Sequence, residues 1–468
     1  MNSLLCQERN FDPSYQGQYR LFEGGNSGLA LREVDRKKVL VDFSGGTLTS
    51  DAGLLLLKEV NAELGLTDGA ASALCDDRDS RYTRHSVAEL IRQRVFQIAA
   101  GYEDANDSDV LRNDPIMKMA ADRLPISGPP LASQPTISRF ENAPTRTELY
   151  RMGAYIVDQF VASYDEAPEL IVLDFDDTDN PVYGEQQLAL FNRHYNKVCY
   201  EPLHVYEGLS GRLITAVLKP KRSMGATTLM ILKRIVRRLR SVWPQTLMVF
   251  RADCNFLAPE VIDWIDEQEQ VMYVIGIRSN PVLRRRIQPL VKEAKRLYER
   301  CGGRTIRRYH SIRYKAGSWS ALRRVIVKIE VSSGGYDVRR VVTNMETARA
   351  RALYEKIYCG RGRAESFIKE HKRYLCSHRT SCHRFEANQF RLFLHSLAYN
   401  LCHAFRSEVL RGTQWATATF ETIRLKLFKL GARVRELKTR IKVELPSSCP
   451  AEPVLRRSIS LFALLRPG

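Results

Sequence analysis

The chain has 468 residues, of which 44% are hydrophobic and 27% are charged, and its formal net charge is +19. This length is enough for two or three domains, and this composition excludes an intrinsically disordered chain. The positive excess favours a polyanionic partner, most often nucleic acid. No apolar run of transmembrane length and no signal-peptide core in MNSLLCQERNFDPSYQ is found, so we expect a cytoplasmic protein without a membrane partner.

The front third of the chain is predicted to be mostly helical. Residues 1 to about 35 are polar and Gly-rich, which predicts a loosely ordered stretch, and KKVLVDF predicts a short strand. In SVAELIRQRVFQIAAGYED (86–104), apolar residues recur at helical spacing behind Ser86, a candidate N-cap. We assign residues 1–150 to a helical N-terminal domain with a DNA-binding role, or else with a structural or dimerisation role.

The middle of the chain predicts a mixed sheet flanked by helices. ELIVLDFD (169–176) is an apolar strand that ends in acids, and residues 201–220 form two strands across a Gly-Leu-Ser-Gly turn. The elements that follow are a basic helix (226–243), a strand (246–253), a helix (259–269) and a strand (271–277). This order matches the α/β, ribonuclease-H-like fold, in which acids at the ends of adjacent central strands converge on one metal site.

After residue 277 the pattern changes to a basic helix and three strand-like stretches, RYHSIRYKA, RRVIVKIEVSS and VRRVVTN. A strand-rich insertion thus interrupts the predicted core. Behind the N-terminal domain we therefore expect the first part of the catalytic core (165–278), the insertion (279–346), a core helix (347–405) and a helical, basic C-terminal region for DNA binding or dimerisation (406–468).

Carboxylates at the ends of predicted strands are candidate metal ligands. Phosphodiester chemistry with two divalent ions needs a few carboxylates, because Mg²⁺ prefers hard oxygen ligands. Asp176 leaves the first strand, Asp253 leaves another, and Glu365 lies on a later helix. Asp174 lies deeper in its strand and is the alternative to Asp176, or its support. For Asp176 alone the competing interpretation is a solvated turn, and for Asp253 alone it is an Asx turn or a helix cap before Pro259.

The segment YCGRGRAESFIKEHK (358–372) surrounds one acid with basic groups. At about 100° per residue, Tyr358, Glu365 and Lys372 lie on one face of a regular helix, and Arg361 joins it four residues before Glu365. Tyr358 and Lys372 each lie about 10 Å along the axis from Glu365, too far to share its metal but well placed to hold DNA phosphates on either side, and Arg361 can bind a phosphate with two nitrogens. Gly360 and Gly362 weaken the first turn, so we expect the regular helix to begin near Arg363. A salt bridge between Arg361 and Glu365 on a solvated face is the competing interpretation.

Cysteine and histidine offer no comparable site. Ten cysteines are scattered without a repeated spacing, unlike those of a disulfide-rich secreted protein. The densest group, Cys376, His378, Cys382 and His383, matches no standard zinc spacing. We therefore expect these thiols to be buried or solvated in a reducing compartment.

The spacing of Tyr, Arg, Glu and Lys in the segment 358–372 resembles the YREK signature of DDE insertion-sequence transposases, and it is most similar to the group numbered thirteen-eighty. LDFDDTDNPVYG and VFRADCNF resemble the two aspartate motifs of that family. Further likeness runs from RYTRHSVAELIRQRVFQIAAGYEDAND to ETIRLKLFKLGARVR, so the resemblance covers most of the chain. It implies a retroviral-integrase-like catalytic core and places the protein at a bacterial nucleoid.

The resemblance implies cut-and-paste transposition by a homodimer bound to double-stranded DNA at terminal inverted repeats. Asp176, Asp253 and Glu365 would bind two Mg²⁺ or Mn²⁺ ions, a metal-activated water would cleave the element end, and the freed 3′-hydroxyl would attack target DNA. Relatives often form a hairpin in which an extruded base stacks on an aromatic ring, and Trp319 is the candidate for that DNA contact. Packing within a strand hairpin is the alternative for Trp319.

Two other functions stay open at this point. A DNA-binding protein of the same fold could have lost catalysis, and a metal-dependent nuclease could cleave DNA without joining it. Cys254 and Asn255 follow the second aspartate where the family usually has Ser-Gly, and Tyr183 stands where it usually has His. These differences remove no ligand but change the loops around the expected metal site. The complete triad and signature favour the transposase over the binding protein.

Overall fold

The computed structural model of this chain describes residues 29–79, 81–193, 195–220 and 224–465. The predicted loosely ordered stretch therefore lies mostly outside the described residues. By its contacts the chain divides into two compact units, residues 1–47 and residues 48–468. In the first unit, β1 (Leu29–Val34) and β2 (Lys37–Val41) form an antiparallel hairpin, so the short strand predicted in KKVLVDF is confirmed.

The front part of the second unit is helical, as predicted. Its elements are β3 (Leu48–Thr49), α1 (Leu54–Leu64), α2 (Leu66–Ser72), α3 (Val87–Ala100), α4 (Asp107–Leu111), α5 (Pro115–Ala120), α6 (Gln134–Asn142) and α7 (Arg146–Ala162). The hydroxyl of Ser86 accepts a hydrogen bond from the N–H of Glu89 at 3.2 Å, which confirms the N-cap of α3. Gly101 ends the helix in the left-handed conformation, with φ 89°.

The middle of the chain builds one large mixed sheet. The elements of this region are β4 (Leu170–Asp177), β5 (Asn180–Pro181), β6 (Leu190–Asn192), β7 (Lys197–Tyr200), β8 (Leu203–Glu207), β9 (Leu213–Val217), α8 (Met224–Val242), β10 (Leu247–Ala252), α9 (Pro259–Asp266), β11 (Val271–Gly276), α10 (Pro281–Arg300), β12 (Ile306–Tyr314), β13 (Arg323–Ser332) and β14 (Gly335–Thr343). Strands β5, β6 and β7 form a separate, small three-stranded sheet. The large sheet has eight strands in the order β12-β13-β14-β11-β10-β4-β8-β9. β4, β10 and β11 are parallel, and the outer strands are antiparallel to their neighbours.

The strand-rich insertion continues this sheet. β14 pairs with β11 in antiparallel fashion, so β12, β13 and β14 extend the core sheet at one side. The alternation expected for β4 is present: Leu173 and Phe175 lie in the core that also contains residues of α8, α9 and α10. Asp174 and Asp176 consequently point to the opposite face, where the helical segment with the signature lies.

The last part of the chain carries the signature and a second small sheet. Its helices and strands are α11 (Ala350–Ala352), α12 (Gly362–Lys369), α13 (Phe385–Ala404), α14 (Phe420–Ile423), β15 (Ala432–Glu436), β16 (Ile441–Glu444) and α15 (Glu452–Leu465). β15 pairs with β16 in a hairpin, and it also pairs with β3 from the front of the unit. The C-terminal region predicted to be helical therefore also contains strands. None of the helices in the described ranges is both long and apolar enough to cross a bilayer.

Candidate active site

Asp176 and Asp253 leave neighbouring strands at the same edge of the sheet. Phe175 on β4 pairs with Ala252 on β10 in parallel register, so the acids that follow them emerge side by side. Asp176 is 9% exposed. Burial raises the pKa of Asp176 to about 7, while Arg361 opposes the shift and the charge of Asp253 adds to it. Burial also raises the pKa of Asp253. Both carboxylates would therefore gain from a nearby cation.

A buried ion pair holds these strand ends together. Arg251 donates from Nε and Nη2 to the two carboxylate oxygens of the fully buried Asp174, at 2.5 and 2.6 Å, and from Nη1 to the carbonyl of Ile357 at 2.6 Å. Gly208 and Gly360 make room for it, since a Cβ atom at either position would lie 2.5 Å from an Arg251 nitrogen. Both oxygens of Asp174 are thus engaged in joining β4, β10 and the signature segment.

The segment that carries the signature is not a regular helix throughout. Its α-helix begins at Gly362, which confirms the start predicted near Arg363, but uniform α-helical geometry over 358–372 is wrong. The segment contains a π-helical turn (Leu353–Tyr358), a 3-10 turn (Cys359–Arg361), α12 and a second π-helical turn (Glu370–Tyr374). The low helix propensity of Gly360 and Gly362 and the use of the Ile357 carbonyl by Arg251 account for the irregular turns before α12, but not for the π-helical turn after it. The signature residues therefore do not form the straight stripe expected from about 100° per residue.

Arg361 connects Glu365 to the strand end. It donates from Nη1 to Asp176 Oδ2 at 2.9 Å and from Nη2 to Glu365 Oε1 at 3.4 Å. The Glu365 side chain is 69% exposed, so the Arg361–Glu365 salt bridge of the competing interpretation exists but is weak. Within the described ranges, no three side chains of His, Cys, Asp or Glu lie close enough together to hold a metal ion. The structure thus brings two of the predicted ligands together and links the third to them through an arginine.

Lys372 also contacts an acid of the chain itself. Its ammonium group donates to Asp179 Oδ1 at 2.8 Å and to Thr178 Oγ1 at 3.0 Å, in the loop that follows β4. Asp179 forms a second ion pair with Lys197 at 2.5 Å. The positive charge predicted to hold DNA phosphate is therefore neutralised by a carboxylate in this structure.

Tyr358 and Trp319 lie in different settings. Tyr358 is half-buried, and with Asp253, Arg340 and Arg361 it lines an open cavity of about 510 Å³. Trp319 is 6% exposed, and its ring lies 5.5 Å from that of Tyr314 in an edge-to-face arrangement. The indole thus packs within the insertion, and its stacking on a DNA base stays a prediction.

Asn255 is a site residue that the sequence interpretation treated only as a departure from the family. Its N–H and side-chain amide donate to the two carboxylate oxygens of Asp253 at 2.7 and 3.1 Å. This is the Asx turn that was the competing interpretation for Asp253. It orients the carboxylate that also faces Asp176, so the turn and the candidate ligand coexist. The Asp-x-Asn spacing was the available sequence signal.

Buried histidines behind the site were also missed. His204 lies opposite Asp176 in the register of β8 and β4, and its ring is 4.9 Å from that of His371. Burial lowers the pKa of His204 and of His403 to about 4, and it lowers the pKa of His371 and of His395 well below the usual value. These rings are therefore neutral at pH 7.

Comparison with known proteins identifies the family. The family model described as Transposase DDE domain group 1 matches residues 31–467. No curated protein matches the chain. Among solved structures, the cryo-EM structure of the piggyBac transposase synaptic complex with hairpin DNA is similar with a TM-score of 0.42 and 11% identity, over 90% of this chain and 86% of that chain. Because the family match spans nearly the whole sequence, the chain belongs to group 1 of the DDE transposase domains, a family of DNA-cleaving and strand-transferring enzymes.

Proposed function

We propose that this chain catalyses cut-and-paste transposition of an insertion sequence, with Asp176, Asp253 and Glu365 as ligands of two Mg²⁺ or Mn²⁺ ions. One observation carries the proposal: the buried Asp176 and the half-buried Asp253 emerge side by side from parallel strands, and the pKa of each is raised. Two carboxylates in this position repel each other and lose hydration, so they favour a cation between them. Membership of the DDE transposase family supports this interpretation.

The sheet supports a ribonuclease-H-like core for this site. Strands β9, β8, β4, β10 and β11 form a mixed sheet whose central strand is β4, the first along the chain, and helices pack on its face. The insertion leaves this core after β11 and returns through β14, before the helix that carries Glu365. In this proposal, the helices in front of β4 bind DNA ends, and the last part of the chain serves DNA binding or dimerisation.

The donor set fits the proposed ions, because carboxylate oxygens are the hard ligands that Mg²⁺ and Mn²⁺ prefer. When bound, the ions would activate the attacking oxygen and stabilise charge on the leaving oxygen. The chain supplies the positions: Asn255 orients Asp253, and the pair of Arg251 and Asp174 keeps the strand ends in register. Glu365 completes the set when Arg361 exchanges its carboxylate partners for a DNA phosphate.

The signature residues supply the proposed DNA contacts. Arg361 can bind a phosphate with two nitrogens, and Lys372 acts as a point charge. Tyr358 lines the cavity beside Asp253, where the bound strand would lie. The spacing of these residues favours the group numbered thirteen-eighty, with a homodimer holding two terminal inverted repeats in double-stranded DNA. Trp319 would stack on a base only after its ring leaves Tyr314.

The test is an in vitro reaction with Mg²⁺ and a DNA fragment that carries both element ends. We expect cleaved and joined products from the unmodified chain. Asp176→Asn, Asp253→Asn and Glu365→Gln should each lower cleavage by at least about a hundredfold, because each removes stabilisation of several kcal/mol from the transition state. Asp158→Asn, at an acid that pairs with Arg238 on the surface, is the matched control and should leave cleavage unchanged.

Other outcomes point to other functions. Cleavage without joined products would indicate a nuclease of the same fold. DNA binding without cleavage, unchanged by Glu365→Gln, would indicate a binding protein. Near-native activity of any one of the three variants would remove that residue from the proposed ligand set. Circular dichroism and urea unfolding of each variant check that lost activity does not reflect lost folding.

A further inference from the structure

A second arginine-rich cavity lies in the helical front part of the chain. It has a volume of about 810 Å³ and shares no lining residue with the cavity beside Asp253. Its walls come from the loop before α3, the end of α4, the loop before α6 and α6 itself. Five arginines contribute to these walls: Arg78, Arg84, Arg112, Arg123 and Arg139. We call it the front cavity.

Two of these arginines support the walls themselves. Arg78 donates to both carboxylate oxygens of Asp76, at 2.6 and 2.7 Å, and to the carbonyl of His85 at 2.9 Å. Arg123 donates to Glu89 Oε2 at 2.8 Å and to the carbonyl of Arg84 at 3.0 Å. Their charges are thus neutralised by neighbouring acids, and they fix the loop that carries Arg84.

The other three arginines have no anionic partner among the described residues. In the part of the chain that the structure describes, the guanidinium groups of Arg84, Arg112 and Arg139 make no ion pair and donate no hydrogen bond. The Nε atom of Arg112 is buried and lacks an acceptor. The one acid in the wall, Asp79, is already bound by Arg81 at 2.7 Å. Three arginines without an ion-pair partner among the described residues therefore line one cavity, an arrangement that an anion would stabilise.

We propose that the front cavity binds the phosphodiester backbone of DNA through Arg84, Arg112 and Arg139. The inference deepens the proposed function and rests on it, since DNA is the partner of a transposase. A guanidinium group donates two parallel hydrogen bonds to a phosphate. The hydroxyls of Ser133 and Thr136, which also line the cavity, add further donors. The three arginines come from three separate elements, which suits consecutive phosphates of a strand better than one small anion.

This contact would position DNA without selecting its sequence. Phosphate contacts fix the register of a duplex on a protein, whereas base edges carry the sequence information. The front cavity would therefore hold the duplex at a second place, apart from the cavity beside Asp253. Its contribution should be visible with DNA of any sequence, which allows a test that does not require the element ends.

The test compares the unmodified chain with the triple variant Arg84→Gln, Arg112→Gln, Arg139→Gln. Binding of a short fluorescent duplex of mixed sequence is measured by anisotropy over a series of salt concentrations, without divalent ions. The slope is taken as the magnitude of the fall in log K per unit of log salt. Each lost phosphate contact lowers it by about 0.9, so we expect a decrease of up to about 2.7. At low salt the binding should be at least about tenfold weaker. Arg139→Gln alone should lower the slope by about 0.9, and this single variant replaces the triple variant in the test if the triple variant does not fold.

A matched control removes the same total charge from arginines that already have partners. The control variant carries Arg146→Gln, Arg351→Gln and Arg456→Gln, at positions paired with glutamates at 2.9, 2.8 and 2.8 Å. Its slope should fall by less than about 1. Equal slopes for the two triple variants would show a general effect of net charge and would overturn the inference.

The remaining outcomes separate this inference from the proposed function. If the unmodified chain cleaves and joins DNA and the front-cavity variant binds duplex equally well, only the inference fails. If the unmodified chain neither binds nor cleaves DNA, both fail. Inorganic phosphate at the same concentration of phosphate groups should not displace the duplex. Displacement that depends on the three arginines would identify a site for a free anion and would overturn the assignment to DNA.

Discussion

The cavity beside Asp253 and the front cavity both contain arginines, but they differ in how many of them lack an acidic partner. Among the described residues, Arg340 is the one such arginine in the wall of the cavity beside Asp253, whereas the front cavity has three. Near the candidate active site, Arg361 bonds to Asp176 and Glu365, and Lys372 bonds to Asp179. In the front cavity, three guanidinium groups form no ion pair with an acid of the described residues. Cations of the first kind must give up a carboxylate before they can bind a phosphate. Cations of the second kind can bind it directly, with full release of counterions from the DNA.

A low pH should have the largest effect on this difference between the two cavities. It would protonate buried histidines and so place new positive charges without an acidic partner behind the candidate active site. The rings of four buried histidines are neutral in the folded chain: His204, His371, His395 and His403. Their folded-state pKa lies below the ordinary 6.5, so the unfolded chain binds more protons. The stability they contribute is complete above pH 6.5 and is lost as the pH falls toward about 4. Each histidine lowers the free energy of unfolding by up to about 1.4 kcal/mol per pH unit.

Urea unfolding between pH 8 and pH 5 checks this expectation. His403→Gln should make the pH dependence shallower by up to about 1.4 kcal/mol per pH unit. His310→Gln, at a partly exposed histidine on β12, is the matched control for the removal of an imidazole ring. A stability that does not change over this range would mean that the buried rings accept protons without cost.

The buried pair of Arg251 and Asp174 tests how much a neutralised charge near the candidate active site depends on its partner. Arg251→Met leaves the Asp174 carboxylate buried without its partner, which should lower the free energy of unfolding by about 3–5 kcal/mol. Arg238→Met, at an exposed arginine that pairs with Asp158, should cost less than about 1 kcal/mol. Replacing both partners, with Asp174→Leu added to Arg251→Met, should restore much of the loss. If the single and double variants are equally unstable, packing and not charge explains the effect.

Lys372 should show the smallest effect. Its ammonium group is already paired, so Lys372→Ala should lower the slope of log K against log salt by less than the value of about 0.9 for a free phosphate contact. Asp179→Asn should have the opposite effect, because it frees Lys372 for DNA. The duplex-binding assay measures both variants. A full decrease of about 0.9 for Lys372→Ala would show that the lysine leaves Asp179 whenever DNA binds.

The sequence was sufficient for the elements that local patterns specify. Apolar runs ending in acids predicted β4 and β10, and the positions of Asp176 and Asp253 at one edge follow from parallel pairing. The N-cap at Ser86 was equally local. The irregular turns around Gly360 depend on Arg251, a residue far away in the sequence, so helical periodicity could not predict them.

The front cavity was beyond the reach of sequence patterns for the same reason. Arg84, Arg112 and Arg139 each resemble an ordinary surface arginine, and only the folded chain brings them to one cavity in which none of them pairs with an acid of the described residues. The pairing of Lys372 with Asp179 likewise joins a helix to a loop on another element. The composition gives the excess of positive charge, but it does not show which of the positive side chains already pair with an acid of the chain.

The pairing of β3 with β15 has a consequence for how the molecule is made. Thr49 forms its strand contacts with Ala432, so a ribosome must synthesise almost the whole catalytic region before the front helices receive this neighbour. Leu54 and Leu57 of α1 share a core with Phe428 and Leu455. A chain stopped early would expose that apolar surface and be open to aggregation and proteolysis. Completion of synthesis is thus a condition for a stable front part, and with it for the DNA contacts proposed there.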